Sequence, residues 1–195
     1  MRLAQRFHEA LVYAAKLHAA QTRKLSGTPY VGHLLRAAGI ALEHGADEDE
    51  AIAALLHDAV EDQGGAKTLE EIRRRFGPRV AEIVAACSDT DQTPKPPWRE
   101  RKAAYLVHLR EASPSARLVS AADKLDNVRS LISGYHAMGE SLWERFQGGR
   151  GGTLWYHRSV VEILKTAGAD PLVEELDRAV AHLERLARPL PKNSS

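Results

Sequence analysis

The sequence has little of what defines several large classes of protein. Cys87 is its single cysteine, so a disulfide framework and a cysteine metal site are excluded and a reducing compartment is favoured. No stretch approaches the roughly 18 uninterrupted apolar residues that a membrane-spanning helix requires. Residues 1–6 lead into an amphipathic pattern and show no signal-peptide core. We therefore expect a cytoplasmic protein that does not enter a membrane.

The chain also lacks an excess of charge of either sign. Its 27 basic and 26 acidic residues leave a formal net charge of +1, which gives no reason to expect nucleic acid as the main partner. The hydrophobic fraction of 44% and the charged fraction of 27% are typical of a globular domain. We expect one domain over residues 1–188 and a disordered tail at 189–195. The sequence does not indicate an oligomeric state.

Sustained alternation of apolar and polar residues, the mark of strands, is missing as well, so we expect an all-α, single-domain bundle of about ten helices. Apolar spacing predicts helices at 3–18, 30–44, 48–62, 68–76, 78–87, 98–110, 114–133, 138–146, 153–166 and 171–186. Asp47 is the expected N-cap of the third helix, and Thr68 with Glu71 has the pattern of a capping box. The glycine-rich segment 148–152 is expected to be a flexible link.

What the sequence does have is a cluster of acidic and imidazole groups on an apolar helix. His57 and Asp58 are adjacent in residues 54–62, and Glu61 and Asp62 follow one helical turn later, so the four side chains can converge. Carboxylates this close on a buried helix repel one another and are costly to desolvate. A bound cation is the simplest way to remove that cost.

Two other helices carry isolated polar residues that can complete such a site. His33 lies near the start of the second helix, and Asp123 lies within an apolar helix with Asn127 on the same face. Together with His57 and Asp58 they would form a mixed nitrogen and oxygen ligand set, which suits Mn²⁺ and less well other divalent transition metals. Such an ion activates water and polarises a phosphoryl oxygen.

The residues around this ligand set have expected roles too. Glu61 and Asp62 can move protons or orient the attacking water, and Asn127 can fix a ligand or a substrate oxygen. Taken alone, His33 and Asp123 are more often structural residues, with Asp123 then paired to Lys124 or an arginine. The basic residues at 99, 101 and 102 are more often solvated than functional. The combination of three polar motifs on separate helices favours the metal site.

These motifs, in this order, resemble those of the HD-domain metal-dependent phosphohydrolases. The segments that carry the resemblance are Arg23-Lys24 through His33, His57-Asp58-Ala59-Val60-Glu61-Asp62, and Ala122-Asp123-Lys124-Leu125-Asp126-Asn127-Val128-Arg129-Ser130. They are most similar to the hydrolase domain of the RelA/SpoT alarmone enzymes and, among these, to the stand-alone small alarmone hydrolases such as the metazoan SpoT homologue.

The resemblance implies an HD-domain fold and a Mn²⁺-dependent enzyme that removes the 3′-pyrophosphate from (p)ppGpp, releasing GDP or GTP and pyrophosphate. The positions that match the metal ligands are His33, His57, Asp58 and Asp123. Glu61 and Asp62 match the pair that activates water. The residues that match substrate contacts are Arg23 and Lys24 beside the guanine, Asn127 and Ser130 at the sugar and phosphate, and Lys102 at the phosphates.

Two other functions remain open from the residues themselves. One is an HD phosphatase that acts on another nucleotide, such as a nucleoside monophosphate or the 2′-phosphate of NADPH. The other is a catalytically silent sensor that binds a nucleotide, which the intact Glu61 and Asp62 disfavour. The aromatic residues Trp143, Phe146, Trp155 and Tyr156 are expected to pack in the core rather than in an interface.

Overall fold

The computed structural model describes residues 3–90 and 94–188, and helices dominate them. The helices are α1 (Gln5–Leu17), α2 (Val31–Glu43), α3 (Glu48–Leu56), α4 (Ala59–Asp62), α5 (Gly65–Phe76), α6 (Pro78–Cys87), α7 (Trp98–Glu111), α8 (Pro114–Met138), a 3-10 helix (Gly139–Arg145), α9 (Gly149–Lys165) and α10 (Pro171–Leu186). Within these ranges the only β pairing is an isolated bridge between Thr22 and Pro29. The predicted all-α fold is confirmed. The predicted tail at 189–195 lies outside the described residues.

Helix α8 is the centre of the bundle, because it packs against α2, α3, α6, α9 and α10. Its apolar residues from Val119 to Leu131 are buried, as is every residue of α3 from Ala51 to Leu56. Burial of these faces supplies the main stabilisation of the fold. In the described part of the chain, no helix combines the length and the apolar character needed to cross a bilayer.

The expected third helix, 48–62, is two helices rather than one. Asp47 caps its start as predicted, since its carboxylate accepts a hydrogen bond from the backbone N–H of Glu50 at 2.9 Å. In turn, the Glu50 carboxylate accepts a hydrogen bond from the backbone N–H of Asp47. The helix ends at Leu56, and α4 is a single turn after His57 and Asp58. The Ala54 carbonyl, which Asp58 would use in a continuous helix, accepts a hydrogen bond from His57 Nδ1 at 2.8 Å.

The capping box predicted at Thr68 and Glu71 is wrong. Helix α5 already begins at Gly65, and Thr68 lies inside it, where its hydroxyl donates to the Gln63 carbonyl at 2.6 Å. Glu71 pairs with arginines one turn further along the exposed face of α5. The helix can begin early because Gly64 adopts a φ of +122°, a conformation that lets the chain turn sharply before Gly65.

The prediction of a flexible link at 148–152 is also wrong, since α9 begins at Gly149. The glycines serve close packing, because a Cβ on Gly148 or Gly152 would lie 2.6 Å or 3.0 Å from the six-membered ring of Trp98. Helix α8 runs five residues further than predicted, to Met138, and the segment after it forms a 3-10 helix.

Candidate metal centre and adjoining cavity

Two buried imidazoles face each other at the junction of α2 and α3. The His33 ring lies in the first turn of α2, the His57 ring follows the end of α3, and the ring centroids are 5.1 Å apart. His33 Nδ1 donates to Asp126 Oδ2 at 2.6 Å, and His57 Nδ1 donates to the Ala54 carbonyl at 2.8 Å. With Nδ1 as the donor, the neutral form of each ring carries its lone pair on Nε2, and neither Nε2 has a hydrogen-bond partner among the described residues.

Carboxylate oxygens close the site from two sides. Asp58 Oδ2 lies 3.5 Å from His33 Nε2 and 3.1 Å from His57 Nε2. Asp123 Oδ1, which α8 contributes, lies 3.2 Å and 3.4 Å from the same two nitrogens. The structure therefore brings the four predicted ligands together, and those of His33, His57 and Asp58 lie within 4.8 Å of one another. Unpartnered imidazole nitrogens beside carboxylates fit a divalent transition metal.

The charges of this centre show the same need for a cation. Burial lowers the pKa of His33, but the nearby carboxylates of Asp123, Asp126 and Asp58 outweigh it and raise the pKa to about 9. Burial also opposes the charged form of His57, yet Asp58 and Asp123 hold its pKa well above the usual value. Protons therefore balance the carboxylates when no metal is bound, and a divalent ion would replace them.

Further residues contact the predicted ligands, directly or through Asp126, and the sequence analysis assigned no such role to Asp126, Arg36 or Tyr30. Asp126 holds His33 and is itself fixed by Arg36, whose Nη2 donates to it at 3.2 Å. The Tyr30 hydroxyl donates to Asp58 Oδ2 at 2.7 Å. Lys124 donates to Asp123, a pairing that the sequence analysis considered only as the structural alternative. The one sequence signal that could have indicated the role of Asp126 is its position a single helical turn after Asp123.

The α4 turn carries Glu61 and Asp62 to the edge of a cavity beside the metal centre. Asp62 Oδ2 accepts a hydrogen bond from Gln21 at 2.7 Å, and Glu61 Oε1 accepts one from Lys95 at 3.0 Å. Burial raises the pKa of both carboxyl groups, and the charges of Asp58 and Asp89 add to the effect at Asp62 and Glu61, respectively. Carboxyl groups with raised pKa values are suited to proton transfer near neutral pH.

The cavity has a volume of about 360 Å³ and combines cationic, polar and aromatic walls. The predicted site residues that line it are Arg23, Lys24, Asp58, Glu61, Asp62, Lys102, Asn127 and Ser130. Arg23 is held in place because its Nη2 donates to Asn127 Oδ1 at 2.9 Å and to Ser130 Oγ at 3.3 Å. Asn127 also donates to Asp123, so one side chain links the cationic loop to the metal centre.

The basic residues at the start of α7 are only partly solvated. Arg99 is exposed, as expected, but Arg101 and Lys102 donate to Asp89 Oδ2 at 2.6 Å and 2.7 Å. The interpretation of these residues as solvated therefore holds for Arg99 but not for Arg101 and Lys102. The side chains of Arg101 and Lys102 are ordered by Asp89, which follows α6. No sequence motif connects Asp89 to α7.

The aromatic residues divide between core and cavity. Trp143 and Tyr156 are buried as predicted, whereas Phe146 and Trp155 are half-buried. Tyr156 and Phe146 also line the cavity, together with Trp98. Another residue that the sequence analysis missed is His157, a buried cavity residue whose Nδ1 has no hydrogen-bond partner among the described residues. Burial and the charge of Lys124 lower its pKa to about 3, so its ring is neutral.

A family model for the HD domain matches residues 10–153 of the chain. The chain belongs to the HD domain family. This assignment implies dependence on a divalent metal, and the buried cluster of His33, His57 and Asp58 fits that requirement. The HD domain spans the metal centre, the α4 turn and most of the cavity wall.

Named relatives agree with this assignment. This chain is 43% identical over 126 residues to the guanosine-3′,5′-bis(diphosphate) 3′-pyrophosphohydrolase MESH1 of Xenopus tropicalis. The aligned residues cover 63% of this chain and 68% of the relative. The chain is 40% identical to the Homo sapiens MESH1, with the same coverage. A solved structure of a metazoan SpoT orthologue that hydrolyses ppGpp superposes with a TM-score of 0.76 at 31% identity, over 93% of this chain and 97% of that one.

Proposed function

We propose that this HD domain is a metal-dependent hydrolase that removes the 3′-pyrophosphate from (p)ppGpp and releases GDP or GTP and pyrophosphate. The observation that carries the proposal is the pair of unpartnered Nε2 atoms facing two carboxylates, beside a cavity lined by four cationic side chains. The names of the relatives described above support this substrate over other phosphorylated nucleotides.

The metal would be held by His33, His57, Asp58 and Asp123, and Mn²⁺ suits this mixed set of imidazole and carboxylate ligands. When bound, it supplies Lewis acidity and lowers the pKa of water. Asp126 and Tyr30 orient the ligands through their hydrogen bonds to His33 and Asp58.

The remaining chemistry belongs to side chains of the cavity. In the net reaction, the bond between the 3′-oxygen and phosphorus breaks, water supplies the new P–O bond, and the 3′-oxygen leaves as a hydroxyl. We assign removal of the water proton to the Glu61–Asp62 pair, whose raised pKa values suit this role. Lys102 would bind the phosphates of the nucleotide, and Arg23 and Lys24 would lie beside its guanine. Asn127 and Ser130 would fix its sugar, either directly or through Arg23.

The first experiment combines purified protein, Mn²⁺ and a panel of ppGpp, a nucleoside monophosphate and NADPH. Release of pyrophosphate from ppGpp is the expected result. Turnover of another nucleotide, without release of pyrophosphate from ppGpp, would refute ppGpp as the substrate. The proposal of a metal-dependent phosphohydrolase would then still hold. Tight binding of ppGpp without turnover would instead indicate a silent sensor.

The second experiment tests the proton-transfer role with Glu61→Gln. We expect turnover to fall by about a hundredfold or more, because the amide cannot accept the proton of water. Metal content, measured by elemental analysis, should stay at the wild-type level. Glu82→Gln, on the exposed face of α6, is the matched control and should leave both unchanged. Turnover at the wild-type rate by Glu61→Gln would show that Glu61 does not take part in the proton transfer.

A further inference from the structure

Trp98 is an aromatic side chain of the cavity whose position depends on two glycines. It is the first residue of α7, directly after Pro96 and Pro97. A Cβ on Gly148 would lie 2.6 Å from Cη2 of the indole, and one on Gly152 would lie 3.0 Å from Cζ3. The indole therefore occupies the space that side chains at these two positions would need.

Other aromatic rings hold the indole from α9. Trp98 makes edge contacts with Trp155 and with Tyr156, each with ring centroids 6.4 Å apart. The same indole lines the cavity together with Phe146. A ring held this firmly loses little conformational entropy when a ligand packs against it, which favours binding.

Helix α7 presents a cation beside this ring. Lys102 follows Trp98 by four residues, so the two side chains share one face of the helix, and both line the cavity. Its ammonium is oriented by Asp89 at 2.7 Å and lies 5.0 Å from the centre of the Tyr156 ring. An aromatic surface next to an ordered cation matches the two parts of a nucleotide, because bases stack on aromatic rings and phosphates bind ammonium groups.

We propose that Trp98 is a specificity-determining residue that packs against the nucleobase of the substrate, and that Gly148 and Gly152 are positioning residues for it. This inference rests on the proposed function only in taking the ligand to be a nucleotide. The Arg23–Lys24 loop lines the same cavity, so the base would contact side chains from the α1–α2 loop as well as from α7.

The test compares a ligand that has a base with one that does not. Binding of GDP and of inorganic pyrophosphate to the metal-loaded protein is measured by calorimetry. Trp98→Leu should weaken GDP binding about tenfold, whereas the affinity for pyrophosphate should change less than about twofold. Trp98→Phe retains an aromatic ring and should recover most of the GDP affinity.

Glycine variants test the same inference without altering Trp98. Gly148→Ala should weaken GDP binding to a similar extent, because the Cβ of the new alanine displaces the indole of Trp98. Gly151→Ala is the matched control, since a Cβ there meets nothing within 4 Å and the residue lies in the same helix. It should leave both affinities unchanged.

Three results would overturn the inference. They are an equal loss of GDP and pyrophosphate binding, unchanged GDP binding in both Trp98→Leu and Gly148→Ala, and no GDP binding by the wild-type protein. Failure of the proposed reaction is a separate outcome, because it is read from pyrophosphate release and not from GDP affinity. A protein that does not hydrolyse ppGpp, yet loses GDP affinity with Trp98→Leu and Gly148→Ala, would retain the role of Trp98.

Discussion

Asp126 does not contact the proposed metal position itself, but it sets the orientation of a ligand. Its carboxylate is buried and accepts hydrogen bonds from His33 Nδ1 and Arg36. This arrangement fixes the tautomer of His33 and makes its Nε2 a better ligand. We therefore expect Asp126→Asn to weaken Mn²⁺ binding by about ten- to a hundredfold.

Competition with a chelator would measure this loss of affinity. Asp177→Asn is a suitable control, because Asp177 forms ion pairs between α9 and α10 and has no contact with the imidazoles. Wild-type Mn²⁺ affinity in Asp126→Asn would show that His33 is oriented by packing alone.

The proposed ligands could be found from sequence, whereas their supports could not. His57 and Asp58 stand out because polar groups on an apolar helix are rare, and that signal is local. Asp126 meets His33 across 93 residues of sequence, and only the packing of α2 against α8 brings them together. Its role therefore depends on tertiary structure that helical spacing does not determine.

At the scale of elements, the short α4 turn carries the proposed acid–base pair, and Gly64 lies between this turn and α5. Gly64 has a φ of +122°, and a Cβ there would lie 2.7 Å from Thr68 Oγ1. Gly64→Ala should therefore lower the free energy of unfolding by about 1–3 kcal/mol. Denaturant unfolding measures this change.

Gly39→Ala provides the comparison for this prediction. Gly39 lies inside α2, where a Cβ would meet nothing within 4 Å, so alanine should stabilise the protein by about 0.5–1 kcal/mol. An equal effect of the two substitutions would mean that the turn at Gly64 is not strained by a side chain.

Most helices could be predicted because apolar residues with helical spacing mark a buried face. The predicted bounds of the second, fifth, sixth and tenth helices lie within one residue of α2, α6, α7 and α10. The break at His57 could not be predicted, because both sides of it are helical and its cause is a bond from a side chain to the Ala54 carbonyl. The glycines at 148 and 152 were misinterpreted because their role is defined by Trp98, about fifty residues away in sequence.

At the scale of the whole molecule, the bundle surrounds a charged centre with an apolar core. Asp123, Lys124 and Asp126 are buried on α8 among leucine and valine residues. Charged groups in such surroundings are costly unless they are paired. In the metal-free protein, protonated imidazoles pair with the carboxylates, so the stability of the fold and the occupancy of the site depend on the same protons.

This dependence predicts how pH changes the effect of the metal. The pKa of His33 is about 9 in the folded, metal-free protein and about 6.5 when unfolded. The stabilisation from its protonated form is therefore complete below pH 6.5 and is lost as the pH rises through 9. The metal requires neutral imidazoles, so it binds more tightly over the same range. Asp58 and Asp123 do not alter this window, because their lowered pKa values affect stability only at acidic pH.

We expect the difference in melting temperature between Mn²⁺-loaded and chelator-treated protein to widen from pH 6.5 to pH 9. Scanning calorimetry in a series of buffers measures it, and titration with Mn²⁺ at pH 7 should release protons into the buffer. His33→Gln is the control, since it removes both a proposed ligand and the group with the pKa of about 9, and its two melting temperatures should stay close at every pH. A constant difference in the wild-type protein would mean that the metal does not displace protons from this centre, and that its charge is balanced in another way.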